Sequence, residues 1–133
     1  MECWVYNRDT GKYLLLKCPE TKAHGKYWQP VTGGRNTQET GVQACIREVQ
    51  EETGLLLNEK DLEMVCEKFI VQVPERNMEI HKPVYAVRIK TETIKLSKEH
   101  VDYIWAEPAI VPDLLLWESN KNSFRKVADT YHD

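Results

Sequence analysis

The chain has 133 residues, of which 29% are charged and 41% hydrophobic, and its 21 acidic against 18 basic side chains leave a net charge of −3. That length suits one domain with a real core, residues 1–133, and no room for a second. The acidic balance gives no overall basic field to attract a nucleic-acid polymer or an anionic membrane; no apolar run approaches the ~18 residues needed to span a bilayer and no signal-peptide pattern is present, so a cytoplasmic protein is expected.

In chain order, Cys3 to Tyr6 and Tyr13 to Lys17 are predicted strands joined by the turn Asn7-Arg8-Asp9-Thr10-Gly11. Residues 18 to 27 form a polar loop, and Trp28 to Val31 is a short extended segment leading into Gly33 and Gly34. A helix is expected next, with Asn36 as its cap, Glu39 at N3 in a capping-box arrangement and Gly54 ending it. Within it Val42, Cys45, Ile46 and Val49 fall at i, i+3, i+4 and i+7 and predict one buried face. Leu62 to Val73 then reads as a long strand, Pro74 to Asn77 as its turn and Lys82 to Lys90 as the return strand. On that strand Val84, Ala86 and Arg88 point one way and Tyr85, Val87 and Ile89 the other. Val101 to Trp105 is a last short strand, and Pro112 opens a helical region, broken near Ser119 to Asn122, that runs to about Tyr131. The pattern yields an α/β fold, two helices flanking a mixed central sheet. Cys3, Cys18, Cys45 and Cys66 show no CxxC or Cys/His spacing and are read as reduced thiols.

The chemistry concentrates in the first helix. Glu48, Glu51 and Glu52 occupy an arc roughly 100° wide beside the apolar stripe. Three anions so placed repel one another unless solvent, a proton or a cation intervenes, and carboxylate oxygens select Mg²⁺, Mn²⁺ or Ca²⁺ over zinc. A solvated acidic face, with Arg47 and Glu51 as an ordinary i, i+4 pair, is the competing reading of the same residues. An acidic protein acting on a polyphosphate needs a cation between the two, which agrees with the cluster.

The full string decides between them. Residues 33–55 fit G-x5-E-x7-R-E-U-x-E-E-x-G-U (U aliphatic) at Gly33, Glu39, Arg47, Glu48, Val49, Glu51, Glu52, Gly54 and Leu55. This resembles the signature box of the Nudix (MutT-like) hydrolases. The resemblance implies an α/β/α sandwich and Mg²⁺-dependent hydrolysis of a diphosphate linkage, with Mn²⁺ as an alternative ion. By motif position it implies Glu48 and Glu52 as direct metal ligands, Glu51 in the same shell, and a backbone carbonyl at Thr32-Gly33 completing the site. Arg47 lies about 100° from the ligand arc and is assigned to orienting a box glutamate, with a surface ion pair as the alternative. Gly33 and Gly34 give a turn whose backbone can approach phosphate closely.

The family often recruits a further carboxylate from a later loop, for which Glu79, Glu92, Glu99, Asp102 and Glu107 are available. Glu99 is favoured, because Glu99-His100-Val101-Asp102-Tyr103-Ile104-Trp105 resembles the E-H-x-x-Y-x-W element of dihydroneopterin triphosphate diphosphatases; a solvated loop glutamate is the alternative. Tyr27-Trp28-Gln29-Pro30-Val31-Thr32-Gly33 resembles the F-W-Q-S-V-T-G segment of that subfamily, and Trp117-Glu118-Ser119-Asn120 its W-S-N element. Trp28 and Gln29 are therefore candidate substrate contacts, with core packing the other role open to Trp28. Two positions depart from the family pattern: Val31-Thr32-Gly33 stands for the common P-G-G, and Gln38 for the glycine before the first box glutamate. The reading is a small-molecule di- or triphosphate substrate cleaved with release of pyrophosphate by a monomer or homodimer. The alternatives are a broad hydrolase of dinucleoside polyphosphates or oxidised nucleotides, and a nucleotide-binding regulator without turnover.

Overall fold

The computed structural model describes residues 1–131 and has a mixed seven-stranded sheet between helices. β1 (Glu2–Asn7) and β2 (Lys12–Cys18) form the expected hairpin, with Gly11 at φ 72° in its turn. β3 (Tyr27–Gln29) and β4 (Val31–Thr32) are separated by Pro30, which has no N–H for a ladder. α1 (Gly41–Thr53) follows, then β5 (Leu62–Val73), β6 (Met78–Ile89), β7 (Asp102–Ala106), α2 (Val111–Leu114) and α3 (Glu118–Thr130). The path runs β3-β2-β1-β6-β5, with β1 and β6 parallel and the other pairs antiparallel.

Register explains how the sheet builds a site. β7 pairs with residues 13–17 of β2, so it must hold one edge of that strand alone, while β1 (at residues 12–13) and β3 (at 16–18) share the other. β1 likewise gives one whole edge to β6 and shares its other edge between β2 and β4. The β3–β4 segment is therefore wedged between the diverging arms of the hairpin. It delivers the Thr32-Gly33 turn to the mouth of the wedge, where the Met1 nitrogen donates to the Gly33 carbonyl at 2.6 Å.

The strands alternate faces as their sequence demands. Cys3, Val5, Leu14, Leu16, Tyr85 and Val87 bury against Cys45 and Val49 of α1, and Trp4, Tyr13, Leu15, Val84 and Ala86 against Phe124 and Val127 of α3. All four cysteines are free thiols. The Cys3 thiol is pushed well up by its hydrogen bond with Cys45 and then by burial, which keeps it protonated. Among the described residues no helix is long and apolar enough to cross a membrane.

One polar group interrupts the α3 face. Glu2 is fully buried, and its carboxylate accepts from Trp4 Nε1 at 2.8 Å, Lys82 Nζ at 3.0 Å, Asn120 Nδ2 at 2.7 Å and the Ser123 hydroxyl. Four donors from three elements offset the desolvation that an isolated buried carboxylate would suffer.

Three expectations need correction. The helix begins at Gly41, not after Asn36: Thr40 is the cap and pairs reciprocally with Gln43 in a capping box. Asn36 and Glu39 do close a turn, Glu39 reaching back to the Asn36 N–H at 2.8 Å, but the chain leaves it for α1. The return strand starts at Met78, four residues earlier than its apolar alternation begins, because Met78–His81 pair with β5 while remaining exposed. The C-terminal break falls at Leu115–Trp117, not Ser119–Asn122, where Leu115 leaves the helix to bridge Trp28.

Candidate active site

The C-terminal half of α1, the Thr32-Gly33 turn and the loop before β7 enclose a cleft of about 450 Å³ lined by Thr32, Gly33, Glu48, Glu51, Glu52, Ser97, Lys98 and Glu99. The end of α1 fixes that loop. Gly54, at φ 77°, turns the chain away through a bond from its N–H to the Gln50 carbonyl at 2.8 Å. Carbonyls left over at the helix end then accept from the loop, Thr53 from the Lys95 N–H at 2.8 Å and Glu52 from the Ser97 N–H at 3.3 Å. At its far end the loop is pinned to β2 by the Val101 N–H, 2.9 Å from the Lys17 carbonyl. Glu99 is thus carried by a loop tethered at both ends and lines the same cleft as Glu52.

The carboxylates differ in surroundings. Glu52 is 5% exposed, and its Oε2 has no hydrogen-bond partner. Burial, then the charges of Glu48, Glu99 and Glu51, push its carboxyl up to about 8, against a smaller downward pull from a Thr32 backbone hydrogen bond. Glu48 is half-buried and packed so closely on Gly33 that a Cβ there would overlap its carboxyl group. Gly34, by contrast, has open space where a Cβ would stand, so the close approach belongs to Gly33 alone. Among the described residues the acidic side chains line the cleft without converging into a finished metal cage.

Arg47 does more than orient one glutamate. Its guanidinium donates from Nε to Glu39 at 2.7 Å, from NH2 to Glu39 at 2.9 Å and to the Gly34 carbonyl at 2.8 Å, and from NH1 to Glu48 at 2.9 Å and Glu51 at 3.3 Å. These bonds, with Glu39 the strongest influence, raise the guanidinium further and hold the Glu39 carboxyl below its ordinary range. The turn at residues 33–39 and the cleft-lining helix face are therefore clamped by one side chain. The partnership with Glu39, eight residues back, has no signature in the sequence, because it forms only with Glu39 in the turn ahead of α1.

Of the remaining residues singled out from sequence, Trp28 and Gln29 lie on β3 outside the cleft lining. Trp28 is half-buried against the α3-side core, with Lys17 Nζ 5.3 Å from its ring centre. Ser97 and Lys98 line the cleft and carried no sequence signal beyond adjacency to Glu99. Trp28→Ala is expected to lower stability by about 2 kcal/mol, less than a fully buried tryptophan would lose, and to depress all activities in step. A raised KM with an unchanged melting temperature would instead return Trp28 to a stacking role.

Comparison with known proteins places this geometry in a family. The NUDIX domain model matches residues 2–127. The dihydroneopterin triphosphate diphosphatase of Haemophilus influenzae is 21% identical over 132 aligned positions, spanning 92% of this chain and 82% of that protein. The solved dihydroneopterin triphosphate pyrophosphohydrolase of E. coli superposes with a TM-score of 0.76 at 22% identity, covering 98% of this chain and 94% of that one. A C. elegans Ap4A hydrolase in a binary complex gives 0.71 at 21%, covering 97% and 95%.

Proposed function

This chain belongs to the NUDIX domain family and is a Nudix pyrophosphohydrolase, and from that premise we propose that it hydrolyses the diphosphate linkage of a nucleoside or dihydroneopterin triphosphate, releasing pyrophosphate and a monophosphate. The observation that carries this reading is the cleft itself: a buried, unpartnered Glu52 oxygen faces three further carboxylates beside a glycine that leaves room only for Glu48. An all-oxygen donor set of this kind suits Mg²⁺ or Mn²⁺, and Nudix proteins generally use such an ion. Glu48, Glu51, Glu52, Glu99 and the Thr32 carbonyl are the groups that would hold it. When bound, the ion supplies charge neutralisation on the phosphate oxygens and a more acidic water.

The chain's own residues account for the remainder. Arg47 holds Glu48, Glu51 and the Gly34 carbonyl in fixed relation before substrate arrives, so little reorganisation is left for the reaction itself. Glu99, on a tethered loop, serves in this reading as a further ligand or as the base that takes the proton from an attacking water, and Lys98 lines the same cleft as a cation for a phosphate oxygen. Water adds across the linkage, so one of the two products, monophosphate or pyrophosphate, carries its oxygen. The distant similarity to an Ap4A hydrolase supports the second reading, a hydrolase of dinucleoside polyphosphates. A binding module without turnover is disfavoured because the Glu48, Glu51 and Glu52 set is intact. We place the protein in the cytoplasm as a monomer or homodimer.

The deciding experiment is a panel with Mg²⁺ covering dihydroneopterin triphosphate, deoxynucleoside triphosphates, oxidised dGTP, dinucleoside polyphosphates and nucleotide sugars, with released pyrophosphate or phosphate measured. A triphosphate should give the highest kcat/KM. A tenfold preference for dinucleoside polyphosphates would select the second reading, and no turnover on any member would select the third. Within an active enzyme, Glu99→Gln should lower kcat at least tenfold or move the pH profile, while Glu92→Gln, outside the cleft lining, should do neither. A silent Glu99→Gln would remove Glu99 from the chemistry.

A further inference from the structure

A second cavity, of about 400 Å³, lies beside the Gly33 turn and is lined by the cations Arg35 and Lys82 and the His81 imidazole, with Met1, Gly41 and Ile80 among its remaining walls. No acidic side chain lines it, which is unexpected in a chain of net charge −3. Two of these side chains have outside partners. Lys82 gives one bond to buried Glu2 at 3.0 Å and keeps further N–H donors, and His81 Nε2 sits 3.1 Å from Glu79. Arg35, exposed on the turn, pairs with no carboxylate among the described residues. An Arg fork, a Lys ammonium and an imidazole around one concavity are a donor set for phosphate oxygens.

Its position relates it to the cleft. Met1, a wall of this cavity, donates from its nitrogen to the carbonyl of Gly33, which lines the cleft, at 2.6 Å. Acidic cleft and basic cavity are thus separated by one turn of backbone. The field between them is polarised, and a polyanion reaching across would meet cation-holding carboxylates at one end and cationic side chains at the other.

We propose that the Arg35/His81/Lys82 cavity is a phosphate subsite that holds the phosphates distal to the scissile linkage, selecting substrates that carry at least one ionised phosphate beyond it. The assignment rests on the diphosphatase reading for its biological sense, but the anion site stands on its own residues. A free phosphate and a polyphosphate chain share this chemistry, so both are tested.

The full-length ¹⁵N-labelled protein, with EDTA present and no divalent cation, is titrated with inorganic tripolyphosphate and, separately, orthophosphate. Tripolyphosphate should give saturable shifts of the Gly41, Ala44 and His81 amides in the millimolar range, and orthophosphate should bind at least about fivefold more weakly. Arg35→Gln, at an exposed residue without an ion-pair partner, should weaken tripolyphosphate about fivefold, and Arg35→Gln with Lys82→Gln should abolish the shifts. Absence of saturable shifts in the wild type, an Arg35→Gln titration like the wild type, or equal affinity for orthophosphate would each overturn the proposal. Because no turnover is measured, an inactive protein on the substrate panel leaves this result intact. With an active enzyme, Arg35→Gln should raise KM for triphosphates about fivefold at constant kcat and leave KM for a nucleotide sugar unchanged; an equal rise for both would overturn the distal-phosphate assignment.

Discussion

Glu52→Gln should reduce kcat by about a hundredfold to a thousandfold, equivalent to roughly 3 to 4 kcal/mol of transition-state stabilisation, in a protein that folds normally. The amide keeps the shape of the carboxyl group but cannot carry its charge, and Glu52 is the most deeply buried of the cleft carboxylates. The same substitution makes a stability prediction of opposite sign. In the metal-free protein the Glu52 carboxyl stands at about 8, above its unfolded value near 4.5. A carboxyl group raised on folding stabilises fully only below its unfolded pKa, and that contribution is lost as pH rises through the folded one. Thermal unfolding in EDTA should therefore find wild type and Glu52→Gln alike near pH 4. The mutant's advantage should grow from about pH 4.5 and level off above pH 8, at an order of magnitude of a few kcal/mol. Wild-type turnover in the purified variant at saturating Mg²⁺ would sink the ligand assignment, and a pH-independent stability difference would sink the electrostatic one.

Arg47→Lys should be nearly as damaging despite conserving charge. A lysine has one ammonium where the guanidinium serves Glu39, Glu48, Glu51 and the Gly34 carbonyl from three nitrogens, and so it cannot hold both the turn and the helix face. Activity should fall about a hundredfold, and Glu39→Gln, which loosens the same clamp from the other side, should produce a smaller loss in the same direction. If the double variant were no worse than Arg47→Lys alone, the two residues would be acting through one shared contact. Strictly additive losses would mean that Glu39 and Arg47 act separately and that the clamp is misdescribed.

The parts of the molecule legible in sequence are those governed by short-range periodicity. β5 has the bounds expected of it, Leu62–Val73, because strong turn and breaker signals flank it. The alternation of Val84 and Ala86 against Tyr85 and Val87 does assign them to opposite cores. The helix start misled because two cap-like pairs stand in tandem, Asn36 with Glu39 and Thr40 with Gln43, and both make reciprocal or near-reciprocal bonds. Only the second is followed by continuous i to i−4 bonding. The cleft glutamates were legible because one helix carries three of them, and helical geometry needs no tertiary information. Glu99 was reached through a resembling element, and its position in the cleft depends on carbonyls at the end of α1 that no sequence pattern announces. The clamp and the cationic cavity were not legible. Arg47 spans a turn whose shape was misassigned, and Arg35, His81 and Lys82 meet only when the start of α1 lies beside β6.

Glu2 carries a consequence for the order in which this chain can become a protein. Its carboxylate belongs to the first strand, yet two of its donors, Asn120 and Ser123, lie 118 and 121 residues later. Until α3 docks, the Glu2 carboxylate has only Trp4 and Lys82 of its four donors, so that face of the sheet stays solvated around it. Synthesis from the ribosome therefore leaves β1 waiting for α3 before this network can close, a loop of 118 residues between Glu2 and Asn120. A nascent chain halted before residue 120 lacks two of the four donors that the Glu2 carboxylate has in the finished fold. What looks in the finished structure like one more buried hydrogen-bond network is, during biogenesis, a latch that β1 and α3 close together.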